Sequence, residues 1–235
     1  MRRRIGKWSA SRYATVAVAG LAGLLVLAGC GQSRLGAAAL YGNQRVSTTR
    51  LAAEVSNLNT AYQKYQHKTQ ISYQPADMPR EVLSWLLRFA TANQLAADRG
   101  ITVTPAQAQH ELKVETANVK QGGDTLPEAA VLNGLPPDLL AQLGTWISIQ
   151  VQLDNQLDNG VAPKTQAAST ALTTKANHLQ CLAAKRLDIK VNPQYGVYDF
   201  ASYAVVATPS TLAAASPSPV PSASPTAAPQ LTPKC

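Results

Sequence analysis

The chain of 235 residues is predicted to be mainly α-helical, with a short two-stranded pairing of its N- and C-terminal segments. Three observations predict this. Apolar residues recur three and four apart through most of the chain between the two end segments, the spacing that gathers side chains on one helix face. Helix starts and stops are written locally, most sharply at Thr104-Pro105-Ala106-Gln107, at Gly100 and at Asn159-Gly160. Strand signals are confined to two short stretches near the ends, the apolar run Ala37–Tyr41 and the alternating residues 187–191.

The first element is a leader. Arg2, Arg3, Arg4, Lys7 and Arg12 make it basic, residues 14–28 carry no charge, and small residues close it, the order of a secretory signal. The closing quartet Leu27-Ala28-Gly29-Cys30 resembles the lipobox of bacterial lipoproteins. The resemblance implies a diacylglyceryl thioether on Cys30, removal of residues 1–29, and a mature chain beginning at Cys30. Two acyl chains would hold it to the membrane, since each buried methylene contributes about 0.8 kcal/mol and one chain alone binds reversibly. The alternative is an uncleaved transmembrane helix, because residues 13–31 are uncharged over nearly the ~20 residues a span needs. Residues 30–36 are then the lipidated N-terminus and a linker.

The domain is expected over 37–207. Ala37–Tyr41 reads as a strand ended by Gly42-Asn43. Ser47 or Thr48 caps a helix whose stripe is Leu51, Val55, Leu58, Tyr62 and Tyr65. A second helix covers Met78–Arg99, with Val82, Leu86, Phe89, Asn93 and Ala96 or Ala97 on one side, Trp85 beside them, and Gly100 as a left-handed stop. The threonine cap, the proline at the first helical position and the glutamine three residues after the cap start a third helix, over 105–120. A short helical turn falls within 125–133. Pro136-Pro137-Asp138 opens a longer helix to Asp158, with Leu139, Leu143, Trp146, Ile147, Leu153 and Leu157 inward. From Lys164 a last helix carries Ala168, Leu172, Ala176, Leu179, Leu182 and Ala183. Residues 187–191 then alternate, and this closing strand is expected to pair with Ala37–Tyr41.

Residues 208–235 form a tail. It holds seven of the fifteen prolines, among alanines and serines that bury little apolar area, and reads as a solvated, partly polyproline II segment. Cys181 and Cys235 are the cysteines left for a disulfide, in a compartment that permits one. Cys181 also suits a buried free thiol.

The formal charge of +8 includes the five basic residues of the leader, and without them it is +3. A nucleic-acid binder concentrates far more positive charge, so no nucleic-acid partner is expected. His67, His110 and His178 form no zinc motif, and there is no nucleophile elbow or phosphate loop. The chain is therefore expected to be non-catalytic, with no cofactor and no metal.

Two segments carry a family resemblance. The run 37–43 leading through Val46-Ser47 into a helix, followed at 96–104 by the pattern A-x-x-x-G-I-x-V-T and a capped helix, resembles the N-terminal chaperone domain of SurA and PrsA-type foldases. The segment 187–196 looks like the end of small lipoproteins of high-GC Gram-positive bacteria grouped with SurA. Together the resemblance spans roughly 37–203. It implies a helical body that cradles unfolded exported polypeptide and in which the two chain ends meet. Those foldases also carry a parvulin isomerase domain. Here only Gly160-Val161-Ala162-Pro163 separates Asn159 from Lys164, so isomerase activity does not carry over.

The expected function is thus a lipid-anchored lipoprotein on the extracytoplasmic face of the bacterial cell membrane, with a holdase domain for unfolded or exported polypeptides. The alternative is a structural or regulatory lipoprotein that docks to one defined envelope partner. Tyr62, Trp85, Phe89 and Trp146 are the candidate polypeptide-binding side chains, since large aromatics give sequence-tolerant contact area.

Overall fold

The computed structural model describes residues 36–67, 73–208 and 235. The leader, Cys30 and most of the tail lie outside these residues. In chain order the elements are β1 (Ala37–Tyr41), β2 (Gln44–Ser47), α1 (Thr48–Tyr65), α2 (Met78–Arg99), α3 (Pro105–Gln121), α4 (Leu126–Leu132), α5 (Leu140–Leu157), α6 (Gln166–Arg186), β3 (Lys190–Val191), β4 (Val197–Asp199) and β5 (Ala204–Val206). The fold is mainly α-helical with small antiparallel sheets.

The helix boundaries follow local chemistry. The Ser47 hydroxyl accepts from the Arg50 amide at 3.1 Å and caps α1. Thr104 and Gln107 form a reciprocal capping box at the start of α3, and Thr125 with Glu128 forms another at α4. Gly100 ends α2 in the left-handed region at φ 65°. Asn159 and Gly160 stop α5 in the same region, at φ 57° and 74°.

Helix α2 is the axle of the molecule. Residues 82–87 are all buried, and so are Phe89, Thr91, Ala92, Leu95 and Ala96, so the one-sided stripe expected for it is too narrow. A helix apolar around most of its circumference is wrapped by its neighbours, and α1, α5, α6 and β5 all pack on α2. Asn93, placed on the inward side by periodicity, is exposed, and of the two alternatives Ala96 and Ala97 it is Ala96 that is buried. The stripe of α6 also shifts: Cys181, Ala183 and Ala184 are buried, whereas Ala168 and Leu182 are exposed. The core divides into a larger cluster around the first half of α2, α1 and α4, and a smaller one. The latter joins Ala92, Leu95 and Ala96 to Ile149 and Leu153 of α5 and Ala176 and Ala183 of α6.

The chain ends meet as expected, in a sheet of three strands rather than two. β3 pairs antiparallel with β1, Ala39 opposite Val191 and Leu40 opposite Lys190. β2 folds back on the other edge of β1 through the Gly42-Asn43 turn, giving the order β2-β1-β3. Only two residues of the alternating run 187–191 enter the ladder, because Leu187 serves as the C-cap of α6. The Leu187 carbonyl accepts from the Gly42 amide at 2.5 Å and ties the β1–β2 turn to the end of α6.

A second hairpin, β4–β5, was not anticipated. It is pinned to α2 through Ser84, whose buried hydroxyl accepts from the Val205 amide at 2.8 Å and donates to the Arg80 carbonyl at 2.7 Å. Cys181 and Cys235 are joined by a disulfide, with Cα atoms 5.6 Å apart. No helix among the described residues is long and apolar enough to cross a membrane.

Candidate binding cleft

Leu86, Phe89, Ala90 and Asn93 recur along one side of α2, three and four apart. This side lines a cleft of about 590 Å³, which Gly42 and Leu187, joined by their backbone hydrogen bond, also line. Leu86 and Phe89 are each 5 % exposed. Around this apolar floor stand the side-chain amides of Asn93 and Gln94 on α2, Gln142 on α5, and Asn43 and Gln44 of the β1–β2 turn, together with Arg50 and Arg186. None of the residues lining the cleft is acidic. Arg186 is already paired with Asp98, which also accepts from the Gln94 amide at 2.8 Å. Arg50 is exposed on the first turn of α1.

The four candidate aromatics do not share this cleft. Phe89 alone lines it. Trp85 stacks at 39° with Phe89, ring centroids 5.7 Å apart, and meets Trp146 of α5 edge-on at 6.1 Å. Trp85 is largely covered, and its indole nitrogen donates to the Asn133 carbonyl at 2.7 Å, the partner a buried indole requires. These three rings are core contacts between α2 and α5 more than an open platform. Tyr62 is elsewhere. Its ring lies 6.2 Å from that of Tyr73, whose hydroxyl donates to the Val131 carbonyl at 2.8 Å; burial, with lesser pressure from Tyr62 and Glu81, pushes the Tyr73 pKa up.

Cys30 lies outside the described residues. Cys181 is engaged in its disulfide, beside an exposed His178. Among the described residues no group of three His, Cys, Asp or Glu side chains could hold a metal ion.

Sequence reasoning missed the amide rim, for which no motif exists. One signal was available: Asn93 falls in register with the apolar stripe Val82, Leu86 and Phe89. A polar residue at a nominally inward position often marks a surface that stays wet. No protein-family model, no curated protein and no solved structure matches this chain. The resemblance to SurA and PrsA rests on the residues quoted for it.

Proposed function

We propose that this protein is a lipid-anchored extracytoplasmic lipoprotein whose helical body holds non-native exported polypeptide in the α2 cleft without transforming it chemically. The observation that carries this reading is the pairing of an apolar floor with a rim of side-chain amides. Each Asn or Gln both donates and accepts, so the rim complements the peptide backbone whatever its side chains. Leu86 and Phe89 add non-directional burial. With Arg186 neutralised by Asp98, Arg50 leaves the rim weakly positive, which favours acidic or uncharged segments over basic ones. Cys30 would hold this body at the membrane surface, where exported chains emerge.

The test uses the full chain in detergent and a chemically denatured client. At near-stoichiometric ratio the protein should slow aggregation, and the double variant Asn93→Ala/Gln142→Ala should weaken that effect several-fold, because both side chains are on the rim and not in the core. Intact mass of the membrane-extracted protein should show the diacylglyceryl group on Cys30. No delay of aggregation over a range of clients, together with one stoichiometric partner recovered from membranes, would overturn the holdase reading.

A further inference from the structure

In the sheet order β2-β1-β3, β1 is paired on both sides and β2 on one. Which backbone groups of β2 are left over follows from the register. The Ala38 carbonyl accepts from the Asn192 amide at 2.9 Å, so Ala38, and Leu40 two residues on, turn their backbone groups toward β3, while Ala39 and Tyr41 turn theirs toward β2. Their partners there are Val46 and Gln44, which spend their backbone bonds on β1. The two-residue turn Gly42-Asn43, with Gly42 at φ 53°, fixes the same parity, because the residues flanking such a turn are a bonded pair. Arg45 lies opposite Leu40, in a pair that exchanges no hydrogen bonds, so its N–H and C=O point out of the free edge. Among the described residues neither group has a partner.

No described strand pairs with that edge, and β2 contains no proline to seal it. The Arg45 side chain does not cover it either, because cross-strand partners share a face, and Arg45 stands in a row with Leu40 and Lys190 on one side of the sheet. The other side carries Ala39 and Val46, which are buried in one core cluster with Leu86 and Phe89 of the cleft floor. Gln44 at the start of β2 and Arg50 in the first turn of α1, beyond its end, both line the α2 cleft. The backbone of β2 thus runs between two residues of the cleft wall.

An unpaired N–H and C=O side by side on one residue call for the same two groups on another backbone. We propose that an extended segment of the client adds to this sheet as a further strand on the free edge of β2, its backbone paired with Arg45. The client residue opposite Arg45 exchanges both N–H···O bonds with it, and the two residues beside that one turn their side chains to the face of Ala39 and Val46, toward α2. β2 is four residues long, which limits the addition to one such exchange and keeps it reversible. These bonds are blind to side chains, except that proline has no N–H to give, as a site for many clients requires. Strand addition of this kind rests on the polypeptide reading of the α2 cleft and gives the client its conformation there.

Hydrogen exchange at single-residue resolution tests this, on the full chain in detergent with and without reduced, carboxymethylated α-lactalbumin as a permanently unfolded client. Without client the Arg45 amide should exchange fast, and saturating client should slow it at least about tenfold. The Val46 amide, already bonded to β1, should change little. In the aggregation assay Arg45→Pro should hold client several-fold less well than Arg45→Ala, since both lose the charge and only proline loses the N–H. Failure of the natural chain to delay aggregation would sink the cleft reading and strand addition with it. Delay by the natural chain while the Arg45 amide stays fast in the presence of client, or with the two variants equal, would overturn strand addition alone. Protection of Arg45 that appears without client and grows with protein concentration would give the edge to a second copy of the chain and overturn it as well.

Discussion

The Tyr198 phenol on β4 faces α2 with its oxygen covered by protein and unpaired, against the ring of Phe200 at 5.1 Å. Burial pushes its pKa up from 10.0 to about 12, opposed in part by the Thr91 hydroxyl and Arg88. The folded chain therefore holds this proton more tightly than the unfolded chain. Its contribution to stability is fully present below about pH 10 and is lost as the pH rises from about 10 to about 12. The loss amounts to at most about 3 kcal/mol. Tyr198→Phe should remove much of that alkaline fall, and at neutral pH it should leave stability unchanged or raised, because the substitution deletes a hydroxyl that the fold never satisfied. Urea unfolding of both proteins at pH 7 and across the alkaline range checks both halves. At this scale the sequence was least informative, since a tyrosine or tryptophan letter says that a ring will be covered without saying by what. Trp85, Phe89 and Trp146 do come together, yet chiefly as packing between α2 and α5, and Tyr62 is drawn to Tyr73 instead.

Where α3 crosses α5, the two backbones approach at Gly144. A Cβ there would stand 2.5 Å from the Ala108 carbonyl oxygen and 2.7 Å from Leu112 Cγ. Alanine is the better helix former by about 1 kcal/mol, but a clash with backbone cannot be relieved by turning a side chain. Gly144→Ala is expected to destabilise by about 1–3 kcal/mol, seen as a lowered midpoint in thermal unfolding, with α3 pushed off α5. Ends of elements were legible because their causes are local: Thr104 with Gln107, Gly100, Asn159 with Gly160. Faces were less so. The periodicity of α2 cannot reveal that four other elements converge on it, nor that of α6 that Leu182 points outward. The β4–β5 hairpin escaped notice because strands of three residues have no pattern of their own. It is held by Ser84 of α2, 121 residues before its partner Val205.

One expected covalent attachment and one described bond bear on the molecule as a whole. If Cys30 carries lipid, only residues 31–36 separate the anchor from β1, a tether of about 20–25 Å at full stretch, so the helical body works close against the bilayer. The second fastening is the bond between Cys181 and Cys235. Thr208 follows β5 and Cys235 is bonded back to α6, so residues 209–234 are covalently fastened at both ends, as a strap is. A single proteolytic nick anywhere in it should leave one covalent molecule on a non-reducing gel, and only after a thiol reagent opens the cystine should a short peptide come away; its release without reductant would show that the strap is unbuckled.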